Sequence, residues 1–177
     1  MDADLRTAIE TIRRSAHDIM RDWAVLLAFE YLHARTPVKS PARAEVERVK
    51  EEYVTHHRAL DAPGRAPWAT VKRSIDRLAE VVQDLPPVQT ITTPAQLRAL
   101  TNDVLGRVVE NWSHVNPNNV RATVVGNHLC ETCGPTTGQT VVLARDGVPV
   151  AQVPLAVLLA WAGDGVLSRL PGRPHVA

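Results

Sequence analysis

Residues 3–34, ADLRTAIETIRRSAHDIMRDWAVLLAFEYLHA, place Leu5, Ile9, Ile12, Ala16, Ile19, Trp23 and Leu26 at alternating steps of four and three. That spacing keeps one face of an α-helix apolar along its whole length. Arg6, Glu10, Arg13, Arg14, Asp18, Arg21 and Asp22 fill the positions between. Around residues 23–31 the apolar character broadens through Val25, Leu27, Ala28 and Phe29, so this end is expected to be buried on more than one side. The pattern predicts one helix of about 45 Å, which outreaches neighbours of about 20 residues at 1.5 Å per residue. Its overhang calls for cover from the C-terminal region, from a second copy of the chain or from a partner.

Three further helices are punctuated clearly. Ser40-Pro41 supplies an N-cap and a first-turn proline, and Ala42, Val46, Val49, Tyr53, His56 and Leu60 repeat the seam until Pro63-Gly64. The next begins near Pro67 and runs through Trp68, Val71, Ile75, Leu78, Val82 and Leu85 to Pro86-Pro87, where the missing N–H groups stop it. Thr93-Pro94-Ala95-Gln96 is a capping box, followed by Leu97, Leu100, Val104, Val108 and Trp112. Short connections between four amphipathic helices imply an antiparallel bundle over residues 1–112.

Past Trp112 the texture changes. Residues 113–119 read as a polar turn region, and 120–125 as a strand. The runs 139–144 and 148–153 flank Arg145-Asp146-Gly147, and Asp-Gly between β-branched runs predicts a hairpin. A short apolar helix over 154–162 and a loose tail from Pro171 complete the chain. The expected fold is therefore mainly α: a four-helix antiparallel bundle (1–112), then a subdomain (113–177) with a β-hairpin zinc-knuckle element and a closing helix.

The zinc expectation rests on Asn127-His128-Leu129-Cys130-Glu131-Thr132-Cys133-Gly134, which contains both cysteines of the chain. Two thiolates at this spacing can converge on one ion, and the glycine lets the backbone turn behind them. Cys-x-x-Cys-Gly leading into a hairpin resembles one half of a zinc ribbon. A whole ribbon needs a second cysteine pair, which is missing, so the remaining ligands must be histidines, carboxylates or a second chain. His128 precedes Cys130 by two residues and His114 lies fourteen before His128. The preferred ligand set is Cys130, Cys133, His128 and His114.

Other readings of the pair stand beside it. Two reduced cysteines serve equally well as small apolar packing in a turn. A redox dithiol is disfavoured, because Gly134-Pro135-Thr136-Thr137-Gly138 follows in place of a helix N-terminus. Catalytic zinc needs an open coordination position and an acid/base. The His-x-Glu and Pro-Cys-x-x-Cys elements of nucleobase deaminases fail here, since Val115-Asn116 follows His114 and Leu129 precedes Cys130. A His-Glu-x-x-His helix is absent too. The zinc is expected to be structural.

Composition narrows the function further. Apolar residues make up 45% of 177, enough for a core and too many for global disorder. Seventeen arginines against three lysines, with abundant Ala and Val, fit a GC-rich genome such as that of an actinobacterium or its phage. The net charge of +1 is spread evenly, without the basic excess that supplies most non-specific nucleic-acid affinity. The acidic, helical N-terminus does not read as a secretory signal. The apolar stretches 23–29 and 153–162 are too short to span a bilayer. With two cysteines and no signal, a reducing cytoplasm is the expected location.

His56-His57 near a helix end is explained by the helix dipole without a ligand role. Tyr53 and His56 fall on the seam and are expected to pack. Neither a phosphate-binding glycine loop nor a Gly-x-Ser-x-Gly elbow occurs. The expectation is a non-enzymatic interaction or regulatory protein, stabilised by zinc and binding a protein partner or a second copy through an amphipathic helix. A nucleic-acid-binding regulator using Arg121, Arg145, Arg169 and Arg173 is the first alternative, and a zinc-dependent hydrolase the second.

Overall fold

The single helix expected over residues 3–34 is in fact two. α1 (Ala3–Ser15) ends at Ala16, a 3-10 turn (Ile19–Arg21) intervenes, and α2 (Asp22–Arg35) runs back. Asp18 caps the turn, its carboxylate accepting the Met20 N–H at 3.0 Å. Aspartate competes for backbone donors in this way and so favours caps over helix interiors. The seam breaks at the same place. Leu5, Ile9, Ile12 and Ala16 are buried, whereas Ile19 and Trp23 are each 51% exposed, and burial resumes in a new phase at Val25, Ala28, Phe29 and Leu32. The 45 Å helix with an overhang to be covered therefore does not exist.

The structure is a computed structural model and describes residues 1–58, 60–61, 63–100, 113–115, 120–125 and 140–163. The chain is mainly helical with a small sheet. It divides into two compact units, Met1–Pro87 and Val88–Ala177.

In the first unit α3 (Pro41–Arg58) and α4 (Trp68–Val82) join α1 and α2. Ser40 caps α3, its Oγ accepting the Arg43 N–H at 3.1 Å. α4 starts directly after Pro67, whose carbonyl accepts from Thr70 and Val71. α1 packs on α2 and α4, and α3 packs on the same two. Folding back leaves four helices of 13, 14, 18 and 15 residues, comparable lengths that cover one another. Their shared core holds Leu5, Ile9, Ile12, Val25, Phe29, Leu32, Val46, Val49, Tyr53, Val71, Ile75, Leu78 and Val82.

The second unit carries β1 (Gln89–Thr90), α5 (Pro94–Leu100), β2 (Ser113–Val115), β3 (Val120–Val125), β4 (Thr140–Arg145), β5 (Val148–Pro154) and α6 (Leu155–Gly163). Its sheet has the order β1-β5-β4-β3-β2, antiparallel except for the β1–β5 pair. The hairpin expected at Asp146-Gly147 is present. Both residues have positive φ, 52° and 79°, the requirement of a type I′ turn. The Thr93 capping box also forms, with Gln96 N–H given to Thr93 Oγ1 at 3.3 Å and Thr93 N–H given back to Gln96 Oε1 at 3.1 Å. Val141, Leu143, Ala151 and Val153 of the sheet pack with Ile91, Leu97, Leu155 and Leu158.

Segment 93–112, expected as the fourth helix of the first domain, thus begins in the second unit; its part 101–112 lies outside the described residues, as does the tail from 164. Residues 113–115, read from sequence as part of a turn region, are a strand.

The broken seam has a direct test. Ile12→Ala removes a fully buried side chain and is expected to destabilise the unit by about 2–5 kcal/mol. Ile19→Ala is expected to stay within about 0.5 kcal/mol of wild type. Guanidinium unfolding of both variants checks this, and equal losses would restore the continuous helix.

Candidate functional site

Of the four expected zinc ligands, His128, Cys130 and Cys133 lie outside the described residues. His114 stands at the centre of β2, paired with Ala122 of β3. Val125 at the end of β3 pairs with Thr140 at the start of β4, so residues 126–139, with the other three, form the connection between these strands. Ser113 opposes Thr123, so β2 lies against the middle of β3, and the partner of His114 is two residues from the start of β3 and three from the end where that connection leaves. From Ala122 to Val125 is three residues, or about 10 Å of strand. Among the described residues no group of three or more His, Cys, Asp or Glu could hold a metal.

Two polar clusters that sequence reasoning missed or undervalued tie the first unit together. One surrounds Arg35, whose side chain is fully buried. Its Nη2 meets Asp2 Oδ2 at 2.7 Å and the Pro86 carbonyl at 3.4 Å, and its Nη1 donates to the Tyr31 hydroxyl at 2.7 Å. Asp2 also caps α1, accepting the Leu5 N–H at 2.9 Å. Burial works to raise the Asp2 carboxyl, yet the Arg35 hydrogen bond, the Leu5 N–H and nearby positive charge outweigh it and hold it below 3.8. Burial raises the Tyr31 phenol to about 12, against the pull of Arg35, so this hydroxyl stays protonated. One arginine thereby joins the start of α1, the end of α2 and the chain leaving α4. Its signal in the sequence was an arginine among apolar neighbours in a helix's last turn, a pattern shared with ordinary dipole pairing.

The other cluster lies where α1 ends and α2 begins. His57 Nε2 is 2.8 Å from the Ala16 carbonyl, and His56 Nδ1 is 3.0 Å from that of Ala66. The rings of Phe29, Tyr53, His57, His56 and Trp68 stand in a chain of contacts, with centroids 4.8 to 5.8 Å apart. The Tyr53 hydroxyl donates to Asp22 Oδ1 at 3.0 Å, while Arg58 pairs with the other oxygen of Asp22. Burial, then the hydrogen bond and charge of Asp22, push the Tyr53 phenol upward. Each titratable group here is used to hold a turn or a helix end, which is a structural employment.

Beyond this cluster the surface turns apolar. Met20 is 81% exposed beside Ile19 and Trp23, and Leu60, three residues past His57, is 65% exposed. Ile19 and Met20 lie on the 3-10 turn and Trp23 in the first turn of α2, while Leu60 follows the end of α3. Among the described residues, no helix is long and apolar enough to cross a membrane. No family model matches the chain, and neither a curated protein nor a solved structure does. The residues themselves therefore carry the functional reading.

The Arg35 cluster makes an asymmetric prediction. Asp2→Ala strands a buried cation and is expected to lose about 3 kcal/mol or more, whereas Arg35→Met leaves only a partly exposed carboxylate and is expected to lose less. The Asp2 contribution is full above pH 3.8 and fades as pH falls through the lower folded-state value. Denaturant titrations of wild type and both variants between pH 7 and 3 check the order and the fade; a costlier Arg35→Met would contradict it.

Proposed function

We propose that the protein is a non-enzymatic interaction protein whose docking surface is the exposed turn between α1 and α2. The observation that carries this is the grouping of Ile19, Met20 and Trp23, three large apolar side chains presented together to solvent. Scattered apolar residues on a surface are ordinary. Three within five residues form a surface for a protein partner or a second copy. Removing apolar area from water returns roughly 25 cal/mol per Å2, and Trp is enriched among residues that dominate interfaces. The four helices behind it read as an antiparallel bundle, a body that holds such a turn at a fixed angle. The employment of His56, His57, Tyr53 and Asp22 in structural bonds supports a reading without catalysis.

Zinc belongs to this proposal as a staple of the second unit. Cys130, Cys133, His128 and His114 are its ligands, and the support is the Cys-x-x-Cys-Gly spacing within the β3–β4 connection, with His114 on β2, the strand beside β3. A 14-residue connection needs such a tie more than a two-residue hairpin does. Of the arginines of the nucleic-acid reading, Arg121 lies in β3 and Arg145 reaches the Leu100 carbonyl at 3.4 Å, while Arg169 and Arg173 lie outside the described residues.

Two experiments test the two halves. A photo-crosslinking amino acid at position 20, in cells expressing the full chain, is expected to give protein adducts, of itself or of a partner. The same probe at the exposed Glu80 is expected to give none. Absence of adducts at 20, or equal adducts at both, overturns the docking surface. For the staple, protein purified without added metal is expected to carry close to one zinc per chain and Cys130→Ser almost none, since a structural site retains its ion. Less than about a tenth of an equivalent in wild type sinks the zinc.

A further inference from the structure

We propose that His57, with His56 packed beside it, forms a latch that fixes the α1–α2 turn to the end of α3 and the start of α4 and that opens in acid through His57. This goes beyond the docking proposal and stands without it, because it concerns only how the first unit holds itself. In the neutral state each imidazole donates one N–H to a main-chain carbonyl, His57 to Ala16 at 2.8 Å and His56 to Ala66 at 3.0 Å. Those carbonyls belong to the end of α1 and to the approach to α4. The two rings meet edge to face with centroids 5.0 Å apart, and both lie against Trp68. A second proton on His57 therefore places a cation in a site packed against two other rings, where burial disfavours charge.

The groups facing His57 come from every neighbouring element. α1 contributes the Ala16 carbonyl, and with it the negative end of the helix dipole. α2 contributes Asp22, already shared by Tyr53 and Arg58. α3 contributes Tyr53 and His56. The segment before α4 contributes Arg65, whose Nε donates to the His56 carbonyl at 2.8 Å. Burial opposes a charge on His57 most strongly, and His56 and Arg65 add to it. The Ala16 bond and Asp22 pull the other way, and the net holds the imidazole below 6.5. As pH falls below 6.5 the unfolded or unlatched form takes the proton first. The latch is thus fully closed above that value and weakens as pH falls toward the folded-state value.

Amide hydrogen exchange on the full chain from pH 7.5 to 5, corrected for intrinsic rates, reads local opening directly. Protection is expected to fall selectively at residues 15–23 and 56–68, while the Asp2–Arg35 end keeps its protection. His57→Gln retains an N–H donor but cannot titrate, and is expected to remove this acid dependence. His56→Gln is expected to raise the pH at which His57 protonates, read by imidazole NMR. A uniform loss across the unit, or an unchanged acid dependence in His57→Gln, overturns the latch. Should His57→Gln fail to fold, the wild-type titration decides: a His57 midpoint at or above 6.5 overturns it as well.

Discussion

Between Ala16 and Asp22 the chain reverses, and the first unit depends on that reversal being held at both ends. A helix of 32 residues cannot bury its whole seam against neighbours of 15 to 18 residues; two helices of 13 and 14 can. At the turn, His57 takes the last carbonyl of α1, and Asp22 is fixed by Tyr53 and Arg58. At the far end, Arg35 binds Asp2 and so brings the beginning of α1 to the end of α2. Individually such bonds are worth about 1–3 kcal/mol. Their effect is to decide which apolar faces meet, after which burial of the core supplies most of the stabilisation.

The same reversal exposes large apolar side chains among the described residues. Ile19 and Trp23 occupy seam positions that a continuous helix would bury, and the turn pushes them outward beside Met20. Apolar side chains displaced from a core in this way leave a surface prone to association. That links the architecture to the proposed role: the start of the turn is tied to the end of α3 by the bond between His57 and the Ala16 carbonyl.

Much of this was legible in the sequence wherever the signal is local. Ser40, Thr93-Gln96 and Pro67 marked helix starts because capping is settled within four residues. Asp146-Gly147 marked the hairpin because a type I′ turn admits few other pairs. The reversal was not legible from periodicity, since the three-four spacing continues in phase from Ala16 through Ile19 to Trp23 whether or not the chain turns. Asp18 was the available signal, and it was read as one more charge on a polar face. The pairing of Gln89–Thr90 with β5 joins residues some sixty apart, and no local pattern announces it. Arg35 and the imidazole pair likewise owe their roles to partners distant in sequence. The Cys130–Cys133 pair, conspicuous as text, stays a proposal about the second unit.

A distance measurement between spin labels at Ala3 and Ala34 tests the reversal most directly. Folded back, the two positions lie at the same end of neighbouring helices, whose axes pack about 8–10 Å apart, so the label-to-label distance is expected below about 25 Å. A continuous helix would separate them by 31 residues, about 46 Å. A single short distance is the result this account predicts, and a dominant population near 46 Å would contradict it.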